Sequence, residues 1–443
     1  MSDLPAGPYK VITTPEGLRV PYYIIPFDKR GICEGPATRA ALLSDLDAGD
    51  YSHVILFSHG WNNDWTVATQ RYQDFIEGFM KMRQQHALAP PADYRPLLIG
   101  IFWPSTALVF GEDEWGPGIA GAEGTDARVG EELSAIRDLA GALSPDDARR
   151  FFELVQQPEV RDGEIRELAR LAAKLTDVTD DEIGDGDAPT ELDILHAWSS
   201  WASMETPDLD EFGTLNGAPD GDGPEAAGWF DWVKKLDPRP LVRTLTVYRM
   251  KDRAGTVGSH GVGPLLREVL SHSRARVHLV GHSFGGKIVL SATCYGGELP
   301  RPVESMLLLQ PAVSHLCFAG QVPKRHHPGG YRSALQRVRQ PILSTFSKHD
   351  APLTQFFHLA LRRERDLGEV EIAGGSLSPY AALGGFGPRA AGERLIPIAL
   401  PTQRYELTDG VEVFGLQGDA VIGGHGDISN PATWWTLYQQ MER

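Results

Sequence analysis

The stretch Val277–Gly286 reads VHLVGHSFGG, an apolar run typical of a buried strand that leads into a glycine-rich turn and then a helical pattern. Residues 281–285, GHSFG, match the pattern G-x-S-x-G. Glycines on both sides of the serine let neighbouring backbone approach a tight turn, and this turn exposes the hydroxyl at the strand end. The N-terminus of the following helix also favours negative charge beside the hydroxyl. The stretch therefore predicts Ser283 as a nucleophile, with Gly281 and Gly285 supporting its turn.

A second interpretation of the same glycines is a phosphate-binding loop. Gly281 and Gly286-Lys287 match the start of that motif, but Ile288 stands where the motif needs Ser or Thr to bind magnesium. The serine pattern is itself a weak signal in a chain with 48 glycines. The strand before it and the helix after it are what favour the nucleophile.

A serine nucleophile needs a base, and the base needs a carboxylate that orients it. Asp350 follows the strand-like run Ile342–Phe346, on a loop past a strand end, where the ligand-facing residues of an open α/β sheet lie. His425 lies between glycines in GGHGD, after the strand-like run Val411–Leu416 and before the last predicted helix. We therefore predict that Asp350 and His425 complete a catalytic triad with Ser283.

Other residues compete for these roles. His349 is the main competitor for the base, but it adjoins Asp350, and two neighbouring residues cannot easily take both roles. Asp427 competes as the orienting acid, but two residues past His425 it suits the capping of a local turn. His326-His327 are a candidate metal pair for which the sequence offers no third ligand, so we predict no metal site.

The apolar run His53–Ser58, HVILFS, is typical of a strand buried on both faces, and it ends in the sequence HGWNN. A His-Gly turn after an early central strand can aim a backbone N–H at the oxygen of a reacting carbonyl group. We predict that the turn at Gly60 lets the amide of Trp61, with the amide of Phe284, form an oxyanion hole. We assign His59 a structural role in which its ring binds the backbone of this turn.

The chain outside residues 106–240 alternates strand-like and helical runs. Leu97–Trp103 is a further buried strand stopped by a proline. Strands alternating with helices predict an α/β fold with a mostly parallel central sheet and helices on both faces. Residues 372–401, rich in Gly, Ala and Pro, are predicted to form a long loop. Helical spacing is shown by four apolar residues that follow the first buried strand, Tyr72, Phe75, Ile76 and Phe79.

Residues 106–240 differ from the rest of the chain in charge. They hold 32 acidic and 11 basic residues, a net charge of −21, whereas the remainder has a net charge of +4. Three helical apolar periodicities, around 133–143, after Ser144-Pro145 and over 165–175, predict a large helical cap inserted into the core. Its tryptophans either line an apolar pocket or form the cap's own core, namely Trp198, Trp201, Trp229 and Trp232.

The predicted organisation is an α/β core in two parts, over 1–105 and 241–443, separated by the acidic cap over 106–240. The whole chain of 443 residues carries a formal net charge of −17, which argues against a nucleic-acid partner. Its three cysteines exclude a disulfide framework. No secretory signal pattern opens the sequence, and no stretch approaches the roughly 18 apolar residues that span a bilayer. We expect a cytoplasmic protein without stable membrane insertion.

The motifs HGWNN, FWP and GHSFGG resemble those of the α/β-hydrolase superfamily, in particular a largely uncharacterised bacterial group of lipase- and esterase-like serine hydrolases. The resemblance covers about 1–105 and 241–443, and it does not extend over 106–240. It implies an α/β-hydrolase fold, with the nucleophile, the acid and the base in the chain order found here. The predicted triad chemistry needs neither a metal nor a cofactor.

The sequence thus predicts a serine hydrolase that cleaves a small-molecule ester with a neutral or apolar acyl group. An amidase or peptidase with the same triad is the alternative within enzymes, because the two reactions share their chemistry. A binding or effector protein on a hydrolase scaffold is the alternative outside them, since fold does not fix function. The oligomeric state stays open.

Overall fold

A nine-stranded mixed sheet forms the centre of the molecule. The computed structural model describes residues 4–14, 17–61, 63–90, 94–105, 136, 139–176, 189–203, 235–323, 325–357 and 377–443. The strands in chain order are β1 (Lys10–Thr13), β2 (Arg19–Pro26), β3 (His53–Ser58), β4 (Pro96–Phe102), β5 (Val160–Arg161), β6 (Lys235–Leu236), β7 (Arg276–His282), β8 (Ser305–Leu309), β9 (Ile342–Phe346), β10 (Arg394–Pro397) and β11 (Val413–Gln417).

The strand order across the sheet is β1-β2-β4-β3-β7-β8-β9-β11-β10. Only the edge strand β1 runs antiparallel to its neighbour, and every other pair in this sheet is parallel. The predicted α/β class with a mostly parallel sheet is therefore confirmed. Because parallel strands share one direction, the loops after β3, β7, β8, β9 and β11 all leave from the same edge of the sheet.

Helices cover the sheet. In chain order they are α1 (Pro36–Ala48), α2 (Trp65–Gln85), α3 (Pro145–Val155), α4 (Asp162–Ala173), α5 (Glu191–Ser203), α6 (Arg239–Thr256), α7 (Gly263–His272), α8 (Phe284–Cys294), α9 (Ala334–Arg337), α10 (Leu383–Phe386) and α11 (Pro431–Glu442). A π-helical segment, Val257–Val262, joins α6 to α7, and a second one spans Pro352–Phe356. None of the described helices is both long and apolar enough to span a lipid bilayer.

Two hydrophobic clusters lie on the two faces of the sheet, because alternate residues of a strand point to opposite sides. In β3, Val54 belongs to the cluster that contains residues of α1, α6 and α8, and Ile55 belongs to the cluster that contains residues of α2 and α11. All six side chains of β3 are buried, as predicted for a strand that is covered on both faces. The strand predictions at 53–58, 305–309 and 342–346 are confirmed residue for residue.

The described part of the acidic segment, residues 106–240, is mainly helical. Helix α3 begins where predicted, with the Ser144 side chain accepting a hydrogen bond from the Asp147 amide. Trp198 is fully buried, and its Nε1 donates to the carbonyl oxygen of Asp237 at 2.6 Å. Its ring shares one hydrophobic cluster with Val54 of β3. Trp229, Trp232 and the residues 133–135 and 137–138 of the helix predicted around 133–143 lie outside the described residues.

The sequence prediction of a long loop over 372–401 is wrong for the described residues 377–401. That range contains the short helix α10 and the edge strand β10, which pairs in parallel with β11. The four residues of β10 are exposed or half-buried, so they show no continuous apolar run. The helices α1 and α6 and the small antiparallel pair β5–β6 are further elements that the sequence prediction did not include.

Candidate active site

The turn between β7 and α8 holds Ser283 in a strained conformation. Its φ of 55° and ψ of −125° lie in a region that residues with a side chain rarely adopt. A Cβ on Gly281 would lie 2.6 Å from the carbonyl oxygen of Gly285, and a Cβ on Gly285 would collide with the carbonyl oxygen of Ser58. Both predicted glycines are therefore required by the close approach of backbone on either side of the serine.

The structure brings the three predicted triad residues together at the carboxyl edge of the sheet. The Oγ of Ser283 lies 2.8 Å from Nε2 of His425, and Nδ1 of His425 lies 2.8 Å from Oδ2 of Asp350. Since a carboxylate only accepts, Nδ1 carries the proton and Nε2 is left to accept from the serine hydroxyl. All three side chains are buried, and His425 is the most exposed of them at 7%.

Asp350 is fixed by the backbone that follows it. It is fully buried after the end of β9, and its Oδ1 accepts a hydrogen bond from the amide of Leu353 at 3.1 Å. The π-helical segment Pro352–Phe356 begins directly after this anchored turn. The other carboxylate oxygen is thereby turned towards His425.

The two competing residues lie elsewhere. His349 is exposed. Asp427 accepts from the amide of Gly423 at 3.0 Å and from the side-chain amide of Asn430 at 3.2 Å, so it caps the loop that carries His425. The carboxylate bonded to His425 is that of Asp350.

The turn after β3 lies against Ser283. Nδ1 of His59 donates to the carbonyl oxygen of Gly60 at 2.8 Å, and its Nε2 accepts from the backbone amide of Trp103 at 3.4 Å. Burial lowers the pKa of His59 to about 3, and the charge on Arg71 acts in the same direction. The ring is therefore neutral and bonded to backbone, as expected for a structural residue of this turn.

The residues whose amides were predicted as oxyanion donors lie side by side. The rings of Trp61 and Phe284 are 6.2 Å apart, and Gly60 brings the first of these residues up to Ser283. The turn is held by a residue to which the sequence prediction gave no role. The side-chain amide of Asn63 donates to the carbonyl oxygens of Gly60 and Trp61, at 3.1 and 2.6 Å.

The phosphate-binding interpretation of the same glycines finds no support. Lys287 is buried, with its Nζ 5.7 Å from the ring centroid of Tyr331.

The candidate metal pair was His326-His327. The ring of His327 is bonded to the carbonyl oxygen of Pro328. Over the described ranges, no three His, Cys, Asp or Glu side chains are grouped to hold a metal ion.

Two further polar residues of the site had no predicted role. His282 and Gln310 both contact the backbone of the loop that carries His425. Gln310 directly follows β8, and a polar residue at the carboxyl end of a parallel strand is a signal that could have identified it. His282 directly precedes Ser283 in the G-x-S-x-G pattern.

No family model matches the chain, and no curated protein and no solved structure is significantly similar to it. A functional assignment therefore has to come from the geometry and chemistry of the site itself.

Proposed function

We propose that the protein is a serine hydrolase of the α/β-hydrolase type that cleaves carboxylic esters. The observation that carries the proposal is the line of hydrogen bonds from Ser283 through His425 to Asp350, with 2.8 Å at each step. A hydroxyl held against an imidazole, which is itself oriented by a buried carboxylate, is the arrangement that makes serine nucleophilic. The strained turn under Ser283 adds support, because strain of this kind concentrates at functional sites.

The reaction proceeds through an acyl-enzyme. The Oγ of Ser283 bonds to the acyl carbon while Nε2 of His425 takes the hydroxyl proton, and the amides of Trp61 and Phe284 stabilise the oxyanion. The bond between the acyl carbon and the alkoxy oxygen then breaks, and His425 gives its proton to the departing oxygen, so an alcohol leaves. Asp350 keeps the imidazole in its tautomer and stabilises the charge that it carries.

Water completes the cycle by the same steps. His425 takes one proton from the water molecule as its oxygen bonds to the acyl carbon. The bond from that carbon to Ser283 Oγ breaks, the serine regains a proton from His425, and a carboxylic acid leaves. No oxidant, reductant or metal enters this balance.

We further propose a neutral or apolar acyl group as the substrate class and the acidic segment as a cap over the site. The net charge of −21 in residues 106–240 repels anions at a distance. The rings of Trp61 and Phe357 lie 6.2 Å from that of Phe284, next to the nucleophile, and aromatic surface favours apolar groups. We expect p-nitrophenyl esters of neutral acids to be hydrolysed faster than esters of succinate or than the matching anilides.

The decisive experiment is labelling with a fluorophosphonate, followed by peptide mapping. Attack of Oγ on phosphorus displaces fluoride and leaves a stable adduct on the nucleophilic serine. We expect the adduct on Ser283 in the wild type and none in Ser283→Ala. Ser291→Ala is the matched control, because this serine is also buried in α8 and, among the residues described, its hydroxyl bonds only to that of Tyr331, at 2.9 Å. A wild type that takes up no label would overturn the proposal.

A further inference from the structure

The backbone carbonyl group of His425 accepts two side-chain hydrogen bonds. Nε2 of His282 lies 2.9 Å from its oxygen and Nε2 of Gln310 lies 3.0 Å from it. Nε2 of Gln310 is also 2.9 Å from the carbonyl oxygen of Gly424. Because carbonyl oxygens only accept, both nitrogens carry the hydrogen, which assigns the tautomer of His282 and the orientation of the Gln310 amide.

The two donors belong to the strands on which the nucleophile is built. His282 is the last residue of β7, directly before Ser283, and Gln310 directly follows β8, the neighbour of β7. We propose that His282 and Gln310 are positioning residues that hold His425 against Ser283. This inference rests on the proposed function, for which it adds the means of keeping the base in register with the nucleophile.

The loop that carries the base needs such anchors. It reads GGHG at 423–426, outside any helix or strand, and glycines on both sides of a histidine leave the backbone many conformations. A displacement of about 1 Å between reacting groups costs about 100-fold in rate. Two donors on the carbonyl group of His425 restrict the backbone conformation at the residue whose ring has to stay in place against Ser283.

Burial of the two donating side chains, His282 and Gln310, is unfavourable for the stability of the fold. Nδ1 of His282 and Oε1 of Gln310 have no hydrogen-bond partner among the residues that the structure describes. Gln310 also has a φ of 40°, which is unfavourable for a residue with a side chain. Buried polar atoms without partners destabilise the fold, so apolar side chains would suit these positions better if packing were their only role.

His282 is suited to be the donor, because its ring does not compete with His425 for the proton that moves in the reaction. Burial, and secondarily the proximity of His425 and Arg71, lowers the pKa of His282 well below its usual value. Its ring therefore stays neutral beside His425, whose ring centroid is 4.9 Å away. The neutral ring keeps its Nε2–H bond while His425 gains and loses its proton.

The test removes the donor and keeps the side-chain length. We expect Gln310→Met to lower kcat on p-nitrophenyl acetate about 30- to 100-fold, with KM within about twofold of the wild type. The matched control is Gln440→Met. Gln440 is equally buried and donates to the carbonyl oxygen of Met306 in β8 at 3.2 Å. Its Oε1 also has no partner within the described part of the chain, but Gln440 belongs to α11. Its variant should keep kcat within about twofold.

Rescue by a conservative variant separates positioning from stability. His282→Gln retains a donor near the position of Nε2 and should keep kcat within about fivefold, whereas His282→Leu should lose about 30-fold or more. Equal kcat values for these two variants would overturn the proposal. If Gln310→Met does not fold, this pair gives the answer alone.

The results that would contradict the positioning role differ from those that would contradict the proposed function. A wild-type kcat in Gln310→Met, together with an active wild type and an inactive Ser283→Ala, contradicts the positioning role and leaves the hydrolase assignment standing. If the wild type takes up no fluorophosphonate, hydrogen exchange still tests the anchors, because the amides of residues 423–427 should exchange faster in Gln310→Met than in Gln440→Met. Equal exchange in the two variants would overturn the anchoring itself.

Discussion

Gly60 and Ser283 approach so closely that a Cβ atom on the glycine would lie 2.7 Å from the Cβ of the serine. The same added atom would lie 3.0 Å from Nδ1 of His282. Real Cβ atoms almost never come within 3.0 Å of a heavy atom that is outside their own residue and its two chain neighbours, so any side chain at position 60 has to move the turn or Ser283. The turn after β3 and the turn after β7 are thus fitted to each other through a residue without a side chain.

We expect Gly60→Ala to lower kcat by about 100-fold, because relief of this contact displaces Ser283 or the amide of Trp61 by a fraction of an ångström or more. Steady-state hydrolysis of p-nitrophenyl acetate measures the effect. Gly163→Ala in α4 is the control, since a Cβ there meets no atom of the described residues within 4 Å. The close approach would be refuted by a Gly60→Ala variant with the rate and stability of the wild type.

The strain at Ser283 predicts that two inactive variants at this position differ in stability. Ser283→Gly should be more stable than Ser283→Ala by about 1–2 kcal/mol, because only glycine adopts a φ of 55° and a ψ of −125° without a steric penalty. Urea unfolding of both variants measures the difference, and neither should hydrolyse esters. Equal midpoints for the two variants would mean that the turn stores no strain.

The choice between the two carboxylates near the base is also testable. Asp350→Asn should lower kcat by about 10³- to 10⁴-fold, because the amide no longer holds the tautomer of His425. Asp427→Asn should stay within about tenfold of the wild type, since Asp427 bonds to Gly423 and Asn430 and not to the base. A reversed order of the two rates would assign the orienting role to Asp427.

The buried neutral ring of His59 links folding to pH. Its pKa is about 3 in the folded protein and about 6.5 in the unfolded chain, so below pH 6.5 protons bind the unfolded chain preferentially. Stability is therefore lost as the pH falls, by about 2 kcal/mol through this residue between pH 7 and pH 5. His59→Gln should lose less free energy of unfolding over that interval, by about the same amount, in urea titrations at the two pH values. An identical loss in both proteins would contradict this linkage.

The sequence predicts the centre of the sheet well because buried parallel strands are continuous apolar runs. HVILFS and SMLLL have no competing interpretation at their length. The ends of two later strands, β9 and β11, locate the loops where Asp350 and His425 lie. Chain order then suffices to propose the pairing of a serine and a histidine that stand 142 positions apart. Exposed elements carry no comparable pattern, which is why β10 was predicted as loop and α1, with only three buried residues, was not predicted.

The supporting contacts of the site could not be predicted in the same way. Gln310 and His425 are 115 positions apart, and their bond depends on a side-chain rotamer and an unusual φ that no local pattern specifies. Asn63 stands next to a predicted turn, but its role follows only from the direction of its amide. Polar contacts between distant loops arise from the packed sheet, so they become visible only once the sheet is assembled.

The hydrophobic cluster that joins Trp198 of the acidic segment to Val54 of the central sheet bears on how the protein can be trimmed. A shortened chain that omits residues 106–240 would turn buried apolar surface towards water, at a cost of about 25 cal/mol for each square ångström uncovered. Such a minimal version would aggregate unless the uncovered face were redesigned with polar side chains. Engineering of this scaffold should therefore begin with loop changes rather than with excision.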